Sequence, residues 1–392
     1  MDNQTIFDKA NEVFDKVVEF RRHIHKNPEL SFQEYNTSQF IKSVLDEYKI
    51  EYKSIANTGV VATIGAGKSK CIALRADIDA LPILEETELD FASVNEGVMH
   101  ACGHDMHTSM LLGTAIILKS HESELNGTVK LLFQPGEEVL PGGATMMIAE
   151  GVLENPKVDV IFGQHIFPDV KTGTISFCEG RAFASTNEIY ITIHGKGSHA
   201  AQPHSGNDPI LTAAHLIQHF QTLINKKRNP LEPGVLSITS INGGNTTNIF
   251  PEKVELKGTL RTYNEDWRQE MVKLIADSTH SIASLHNCTA EVNIVTGYSP
   301  IVNSPAETQK AKQIATDLLG DDFVYDYEPR LWAEDFAYYL QKVPGSFWLL
   351  GVQPHDKDYL PPLHNSKLIP EEKAMITGIS MFVKTVFEYF KS

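Results

Sequence analysis

The sequence predicts an α/β protein whose largely parallel sheet is interrupted by a smaller α+β segment. Two observations carry this prediction. Short apolar stretches alternate with amphipathic helical stretches over residues 1–181 and again over 297–392, as strands joined by crossover helices do. Residues 182–296 open instead with a stretch in which apolar and polar side chains alternate, as in a half-buried strand. We therefore expect one discontinuous domain with a second domain inserted into it.

The elements of the discontinuous domain follow from apolar periodicity and from the turn residues between them. The first part contains helices at 5–20 and 36–48, a strand at 71–75, a helix at 106–120, a strand at 129–133, a helix at 144–153 and a strand at 158–164. The second part contains helices at 305–318 and near 333–342, a strand at 346–352 and a helix at 371–390.

The inserted segment has an element order of its own. Its predicted elements are a strand at 185–195, a helix at 207–227, strands at 235–243 and 253–262, a helix at 265–286 and a strand at 289–297. This β-α-β-β-α-β order is that of a ferredoxin-like α+β domain. The segment is therefore expected to fold separately from the α/β part.

Length and composition exclude several classes of protein. The chain has 392 residues, more than one hydrophobic core usually holds. A formal net charge of −16 without any basic run argues against nucleic acid as a partner. We see no signal peptide and no apolar run near the ~18 residues of a membrane span, so no membrane partner is expected. Four widely spaced cysteines do not form a disulfide framework, which favours a cytoplasmic location.

The stretch V-M-H-A-C-G-H-D-M-H-T-S at 98–109 concentrates residues that bind metals. Cys102 and His104 are two apart, a spacing that does not share a helix face but that a turn before the helix at 106–120 can bring together. The start of a helix also favours a thiolate. Each residue alone is compatible with an ordinary structural role, whereas the combination at a strand–helix junction indicates a metal.

Three further segments offer ligands. Glu137 and Glu138 follow a predicted strand, and adjacent carboxylates project differently, so that one can bind a cation while the other acts as a base. His165 directly follows another predicted strand, and His364 lies in a Pro-rich loop near the carboxyl terminus. Each is compatible with a solvated turn or a loop histidine when taken alone.

Chain topology predicts that these segments meet. The carboxyl ends of strands in an α/β sheet converge on one crevice. Five ligands exceed the four of a closed structural zinc site and suit two cations with open positions, which activate water and hold a developing oxyanion. The anionic, soft thiolate of Cys102 is the natural bridge between them, which leaves Glu137 to carry protons.

Eight segments of the chain resemble a known family. They are MHACGHDMHTSMLLGTA, LLFQPGEE, GQHIFPD, GKGSHAAQPHSGNDPI, NIFPE, GTLRT, AEDFAYY and LHN, in this order. Together they resemble the amidohydrolase branch of the aminoacylase/carboxypeptidase superfamily of di-metal peptidases, which includes hippurate hydrolase, auxin–amino acid conjugate hydrolases and N-acetyldiaminopimelate deacetylase. The resemblance covers nearly the whole chain.

The resemblance implies a di-metal peptidase-like catalytic domain and a lid domain that mediates dimerisation, so a homodimer or a higher homo-oligomer is expected. It implies metal ligands at Cys102, His104, Glu138, His165 and His364. It also implies Glu137 as the general base and then acid, and His199 as a lid residue that reaches the substrate carbonyl in the site of a neighbouring subunit. Asn248 and Arg261 resemble lid residues that hold the substrate carboxylate.

One departure concerns the first sheet strand. The wider superfamily has His-x-Asp there, with the histidine as a ligand, whereas this chain has Asp77-Ile-Asp79. The Cys-x-His pair is then expected to bind the metal in place of that histidine. Asp79 is expected to contact the ligand side chains without binding the cation itself. Alternatively, both aspartates are only turn residues.

The resulting hypothesis is a metal-dependent amidohydrolase that cleaves N-acyl amino acids, such as hippurate-like, N-acetyl or aryl-acyl compounds, to a carboxylate and an amino acid. Two divalent cations per subunit are expected, and the ligands suit zinc while admitting manganese. Two alternatives stay open. One is a dipeptidase or aminopeptidase on the same scaffold, and the other is a non-catalytic metal-stabilised binding protein.

Overall fold

The computed structural model describes residues 1–65 and 70–391. The chain divides into two compact units, and each contains a cluster of buried apolar side chains. The first unit is Met1–Gly180, Asn303–Glu328 and Asp335–Ser392, and the second is Arg181–Val302 and Pro329–Glu334. Within the described ranges, no helix combines the length and the apolar character that crossing a lipid bilayer requires.

Regular secondary structure runs through both units. The helices are α1 (Asn3–Lys26), α2 (Tyr35–Glu47), α3 (His104–Ser120), α4 (Gly143–Ala149), α5 (Pro209–Lys227), α6 (Glu265–Leu285), α7 (Pro305–Leu319), α8 (Ala337–Leu340) and α9 (Ala374–Lys391). The strands are β1 (Glu51–Ile55), β2 (Gly59–Ile64), β3 (Cys71–Asp77), β4 (Thr128–Gln134), β5 (Val160–Lys171), β6 (Ile175–Phe177), β7 (Gly180–Phe183), β8 (Ser185–His194), β9 (Ser198–His199), β10 (Gly234–Asn242), β11 (Ile249–Phe250), β12 (Lys253–Thr262), β13 (Thr289–Thr296), β14 (Ile301–Asn303), β15 (Val324–Asp326) and β16 (Gly345–Gln353).

The central sheet of the first unit has the strand order β1-β2-β4-β3-β5-β16-β6-β15. Strands β4, β3, β5 and β16 are parallel neighbours, and the antiparallel pairs lie toward the two ends of the sheet. Every residue of β3, β4 and β16 is buried, as expected for parallel strands covered on both faces. The predicted α/β class with a largely parallel sheet is confirmed.

Helix α3 carries the metal-ligand motif at its start and is buried along most of its length. It contacts strands β3, β4 and β5 as well as helices α1 and α9. Its apolar residues are accordingly distributed all round the helix, as is typical of a helix enclosed in a core. The beginning of α3 is therefore fixed against the carboxyl end of the sheet.

Two predicted helices are shorter in the structure. The helix predicted at 144–153 ends at Ala149 because Gly151 has a left-handed backbone (φ +80°), which stops the helix. The helix predicted near 333–342 is reduced to α8. The start of α8 is limited because the side chain of Asp335 accepts hydrogen bonds from three other segments. Its end is limited because Pro344 follows closely after Leu340.

Two boundaries near the predicted ligands also differ. Helix α3 begins at His104 instead of residue 106, directly after Gly103, whose φ of +84° only glycine adopts readily. His165 lies inside β5 instead of after it, because β16 continues alongside and pairs Leu349 with His165. The sequence does not predict eight of the strands, which are β1, β2, β6, β7, β9, β11, β14 and β15.

The second unit contains a four-stranded antiparallel sheet in the order β10-β12-β8-β13. Helices α5 and α6 pack on it around buried apolar side chains, such as Ile191, Phe220 and Met271. The element order β8-α5-β10-β12-α6-β13 has the β-α-β-β-α-β pattern of a ferredoxin-like domain. The boundaries 182–296 and the role of this segment as a lid and dimerisation domain stay predictions.

Candidate metal centre

Five segments of the first unit bring polar side chains to one place. They are the end of β3, the start of α3, the loop after β4, strand β5 and the loop before α9. The side chains brought together are Asp77, Asp79, Cys102, His104, Glu137, Glu138, His165 and His364. All five predicted ligands are in this set, together with the predicted base.

Cys102, His104 and His165 form the first group of possible ligands. One donor atom of each lies within 4.8 Å of the other two. The Sγ atom of Cys102 is 3.3 Å from Nε2 of His165. Nδ1 of His165 donates to the carbonyl oxygen of Ile166 at 2.8 Å, so Nε2 keeps the lone pair on the side of Cys102.

Cys102, Glu138 and His364 form the second group, again with donor atoms within 4.8 Å of one another. Nε2 of His364 is 3.3 Å from Oε1 of Glu138. The backbone of His364 is left-handed (φ +63°), and its N–H donates to the carbonyl oxygen of Ala101 at 2.8 Å. Cys102 is therefore common to both groups.

The orientation of His104 is set by Asp79. Nδ1 of His104 lies 2.9 Å from the carbonyl oxygen of Asp79 and 3.2 Å from its Oδ1. Nδ1 therefore carries a proton, and Nε2 points away from Asp79. The carboxylate of Asp79 also accepts from the backbone N–H of Glu138 at 3.0 Å and from the hydroxyl of Ser31 at 2.6 Å.

The pKa values of His104 and Cys102 depend on the carboxylates around them. Burial lowers the pKa of His104, but the carboxylates of Asp77 and Asp79 outweigh it and raise that pKa to about 10. Burial and the carboxylates of Glu138 and Glu137 raise the pKa of the Cys102 thiol well above its ordinary value. The start of α3 was expected to favour a thiolate, but the surrounding protein residues by themselves favour the neutral thiol.

These features fit a divalent cation. Nε2 of His104 and Oε1 of Glu138 are buried and have no hydrogen-bond partner within the described residues. A thiol, imidazoles and a carboxylate are a donor set that suits zinc and admits manganese or cobalt. A bound cation would replace the protons that otherwise balance the carboxylates, and it would stabilise the thiolate that burial disfavours.

Glu137 is the buried carboxylate beside these groups, with 6% of its surface exposed. One of its carboxylate oxygens lies within 4.8 Å of donor atoms of His104 and Glu138. It belongs to neither of the groups that share Cys102. Its position next to the possible ligands is the one that a proton carrier requires.

His107 and Asp105 have structural partners. Nδ1 of His107 donates to Asp77 at 2.6 Å, and its Nε2 accepts from the backbone N–H of Ile166 at 2.9 Å, so neither nitrogen is available to a cation. Asp105 accepts from Arg21 at 3.1 Å and lies 2.9 Å from Nδ1 of His25. Both residues hold α3 in place.

His100 is also buried, but its two ring nitrogens make no hydrogen bond within the described residues. Burial lowers its pKa to about 4, so the ring is neutral. It belongs to no group of possible ligands within those residues.

Sequence reasoning missed a buried network beneath the site. Arg75 donates to Gln134 at 3.0 Å, to Asp335 at 2.8 Å and also to Asp77. Gln134 in turn donates to both oxygens of Asp335 at 2.9 Å. The signal was an arginine inside the apolar stretch CIALRAD, because a buried guanidinium requires carboxylate partners.

The three predicted substrate residues of the second unit lie on strands or beside them. His199 is exposed on β9, and its Nδ1 accepts from the backbone N–H of Ala201 at 3.0 Å, which leaves Nε2–H as a donor. Asn248 is next to it, because its carbonyl oxygen accepts from the N–H of Ala200 at 2.9 Å. Arg261 is on β12, half-buried, and burial lowers its pKa.

Gly103, between Cys102 and His104, provides a test of how tightly the site is built. A Cβ there would overlap the side chain of Ile166, in addition to the strain of φ +84°. We expect Gly103→Ala to lower the free energy of unfolding by about 1–3 kcal/mol and to weaken metal binding, as measured by denaturant unfolding and metal titration. Gly173→Ala is the control, since Gly173 has φ +91° but open space around it. Equal metal affinity in the two variants would contradict this expectation.

Known proteins are similar to this chain in sequence. The N-acetyl-L-cysteine deacetylase of Bacillus subtilis is 40% identical over 363 residues, which are 92% of this chain and 85% of that protein. An IAA-amino acid hydrolase of Arabidopsis thaliana is 37% identical over 386 residues, which are 97% of this chain and 87% of that protein.

A solved structure agrees over the whole length. The Bacillus subtilis YXEP protein, a dinuclear metal binding peptidase from the M20 family, superposes with a TM-score of 0.83 at 34% identity, covering 97% of this chain and 99% of that one. The model of peptidase family M20/M25/M40 matches residues 73–388. The resemblance found in the sequence is thereby confirmed, and the chain belongs to peptidase family M20/M25/M40.

Proposed function

We propose that this chain is a metal-dependent amidohydrolase that cleaves the amide bond of N-acyl amino acids. One observation carries the proposal. Two groups of possible ligands share Cys102, and the buried carboxylate of Glu137 lies beside them without belonging to either. A binding protein stabilised by metal has no need of such a carboxylate. The names of the relatives, a deacetylase and an amino acid conjugate hydrolase, support the same chemistry.

The proposed ligands of one cation are Cys102, His104 and His165, and those of the other are Cys102, Glu138 and His364. Two bound divalent cations would polarise the amide carbonyl and make water acidic enough to lose a proton near neutral pH. The three nitrogen donors and the thiolate favour zinc, whereas the carboxylate also admits manganese.

In this proposal Glu137 carries the proton. Its carboxylate takes a proton from the attacking water and then donates that proton to the nitrogen of the leaving amine. The buried surroundings of Glu137 exclude bulk water, which strengthens its interaction with developing charge. The neighbouring Asp79 fixes both His104 and the backbone of Glu138 during these steps.

The second unit supplies the substrate contacts in this proposal. Nε2–H of His199 donates to the developing oxyanion in the site of a neighbouring subunit. Asn248 and Arg261 bind the carboxylate of the amino acid, which a guanidinium can hold by two parallel hydrogen bonds. We further propose a homodimer formed through this unit.

We also propose a cytoplasmic location. All four cysteines are among the described residues, they are buried, and they form no disulfide. Thiols persist in this state in a reducing compartment.

A hydrolysis screen tests the function. The metal-loaded protein is offered hippurate, N-acetyl amino acids, an auxin–amino acid conjugate and N-acetyldiaminopimelate, with unblocked dipeptides alongside. We expect the N-blocked amino acids to be hydrolysed with kcat/KM at least about 10-fold above the dipeptides, because we can assign no binding residue for a free α-amino group within the described part of the chain. Faster hydrolysis of the dipeptides would favour a dipeptidase, and no hydrolysis of any compound would favour a binding protein.

A further inference from the structure

We propose that Glu34 is a positioning residue, which holds the backbone beside Glu137 and so fixes that carboxylate for proton transfer. The inference rests on the proposed function of Glu137. Glu34 lies 103 residues before Glu137 in the chain, directly before α2, and belongs to none of the possible ligand groups of the described residues.

The backbone on both sides of Glu137 is held by buried carboxylates. The N–H of Gly136, just before it, donates to Oε1 of Glu34 at 2.8 Å. The N–H of Glu138, just after it, donates to Oδ2 of Asp79 at 3.0 Å. Glu34 and Asp79 have 0% and 1% of their surface exposed. The residues on either side of Glu137 are thus each held by a backbone hydrogen bond to a buried carboxylate.

Glu34 is held firmly enough to serve as an anchor. Its Oε1 also accepts from the N–H of Phe32 at 2.9 Å, and its Oε2 accepts from the hydroxyl of Thr58 at 2.6 Å. Three donors thus compensate for the burial of one carboxyl group, which is otherwise costly. Removing the acceptor would leave the N–H of Gly136 buried and without its partner.

The segment that carries Glu34 touches the loop at a second point. Phe32 has a left-handed backbone (φ +64°), and its ring lies so close to Gly136 that a Cβ on Gly136 would overlap it. Ser31, one residue earlier, donates to Asp79 at 2.6 Å. Strain of this kind persists only where the surroundings enforce it. Residues 31–34 therefore include one of the two acceptors, Glu34, and also hold the other, Asp79, through Ser31.

The expected consequence is on turnover. Proton transfer depends on the placement of the catalytic carboxylate, and a misplacement of about 1 Å can cost about 100-fold in rate. The ligand atoms of the proposed metal site are held by other bonds, such as that of His104 to Asp79. Loss of the Glu34 acceptor is therefore expected to lower kcat without removing metal.

Glu34→Ala tests the proposal, with Glu34→Gln and Glu29→Ala as comparisons. Glutamine has the same size and keeps a carbonyl oxygen that can accept from the two backbone N–H groups. Glu29, five residues earlier, accepts four bonds from Asn36 and Thr37 but none from the loop. Each variant is metal-loaded and measured for kcat, KM, metal content and thermal stability.

We expect Glu34→Ala to lower kcat about 10- to 100-fold with KM changed less than about threefold and metal content unchanged. Glu34→Gln should recover most of kcat. Glu29→Ala should lose thermal stability but keep kcat. A folded Glu34→Ala protein with wild-type kcat, or a Glu34→Gln protein as slow as Glu34→Ala, would overturn the proposal.

Amide hydrogen exchange separates this proposal from the proposed function. In peptides that contain Gly136, we expect faster exchange in Glu34→Ala than in Glu34→Gln or Glu29→Ala. Failure of the wild-type protein to hydrolyse any N-acyl amino acid would refute the proposed function, while the exchange rates would still decide whether Glu34 holds the loop. Unchanged exchange at Gly136 in Glu34→Ala would refute that hold.

Discussion

Glu137→Gln is expected to retain both metal ions and to lose about 10²–10⁴-fold in kcat, because glutamine keeps the size of the side chain but cannot accept and return a proton. Glu137 is buried next to His104 and Glu138 but is outside the groups that share Cys102. Turnover is measured on the preferred N-acyl amino acid, and metal content by elemental analysis of the purified protein.

The informative comparison is Glu138→Gln. The two glutamates are adjacent, but only Glu138 lies in the group with Cys102 and His364, and its Oε1 lacks a hydrogen-bond partner within the described residues. Glu138→Gln should therefore lose metal as well as activity, and a high concentration of added metal should restore part of the activity. A Glu137→Gln protein that loses metal to the same extent, or that keeps turnover within about tenfold of wild type, would show that the roles are assigned wrongly.

The possible ligands could be recognised in the sequence because their side chains are chemically uncommon in combination. Cys102 and His104 stand two apart at the start of α3, and Glu137 and Glu138 follow β4. Segments that follow parallel strands lie at the same edge of the sheet, so their proximity could be expected from the fold class. The structure brings these residues together with His165 and His364.

The supporting residues could not be recognised in this way. Arg75 and Asp335 are 260 positions apart, and their contact depends on the packing of the segment before α8 against the sheet. Glu34 and Gly136 are 102 positions apart, and Glu34 lies in none of the eight segments that resemble the family. Periodicity identifies which face of an element is buried, but it does not identify the partner of a buried polar group.

The pKa of the Cys102 thiol also depends on residues that are distant in the sequence. The helix start was expected to stabilise a thiolate, an effect worth about 0.3–1 kcal/mol at an exposed helix end. Burial and the carboxylates of Glu138 and Glu137 act in the opposite direction and prevail, so the pKa of the thiol is raised. Those charges lie in other segments of the chain. A thiolate at this position therefore depends on a cation, which makes metal binding release a proton.

Cys102→Ala is accordingly expected to have the largest effect on metal binding of any single substitution. Cys102 is the residue common to the two groups of possible ligands, so its loss removes a donor from both sites at once. Loss of a supporting partner outside the ligand set already costs about 10–100-fold in metal affinity, and loss of a shared ligand should exceed about 100-fold for each ion. Equilibrium titration with zinc or manganese measures both affinities.

His364→Ala and His165→Ala distinguish a bridge from an ordinary ligand. Each removes a donor from one group only, so each should weaken the binding of one ion and leave the binding of the other unchanged. At limiting metal, each variant should then bind about one ion per subunit. Because a bound metal stabilises the native state, the thermal midpoint should fall in the order wild type, single-histidine variant, Cys102→Ala. If Cys102→Ala instead loses only one ion, the thiolate belongs to a single site, and another group must join the two cations.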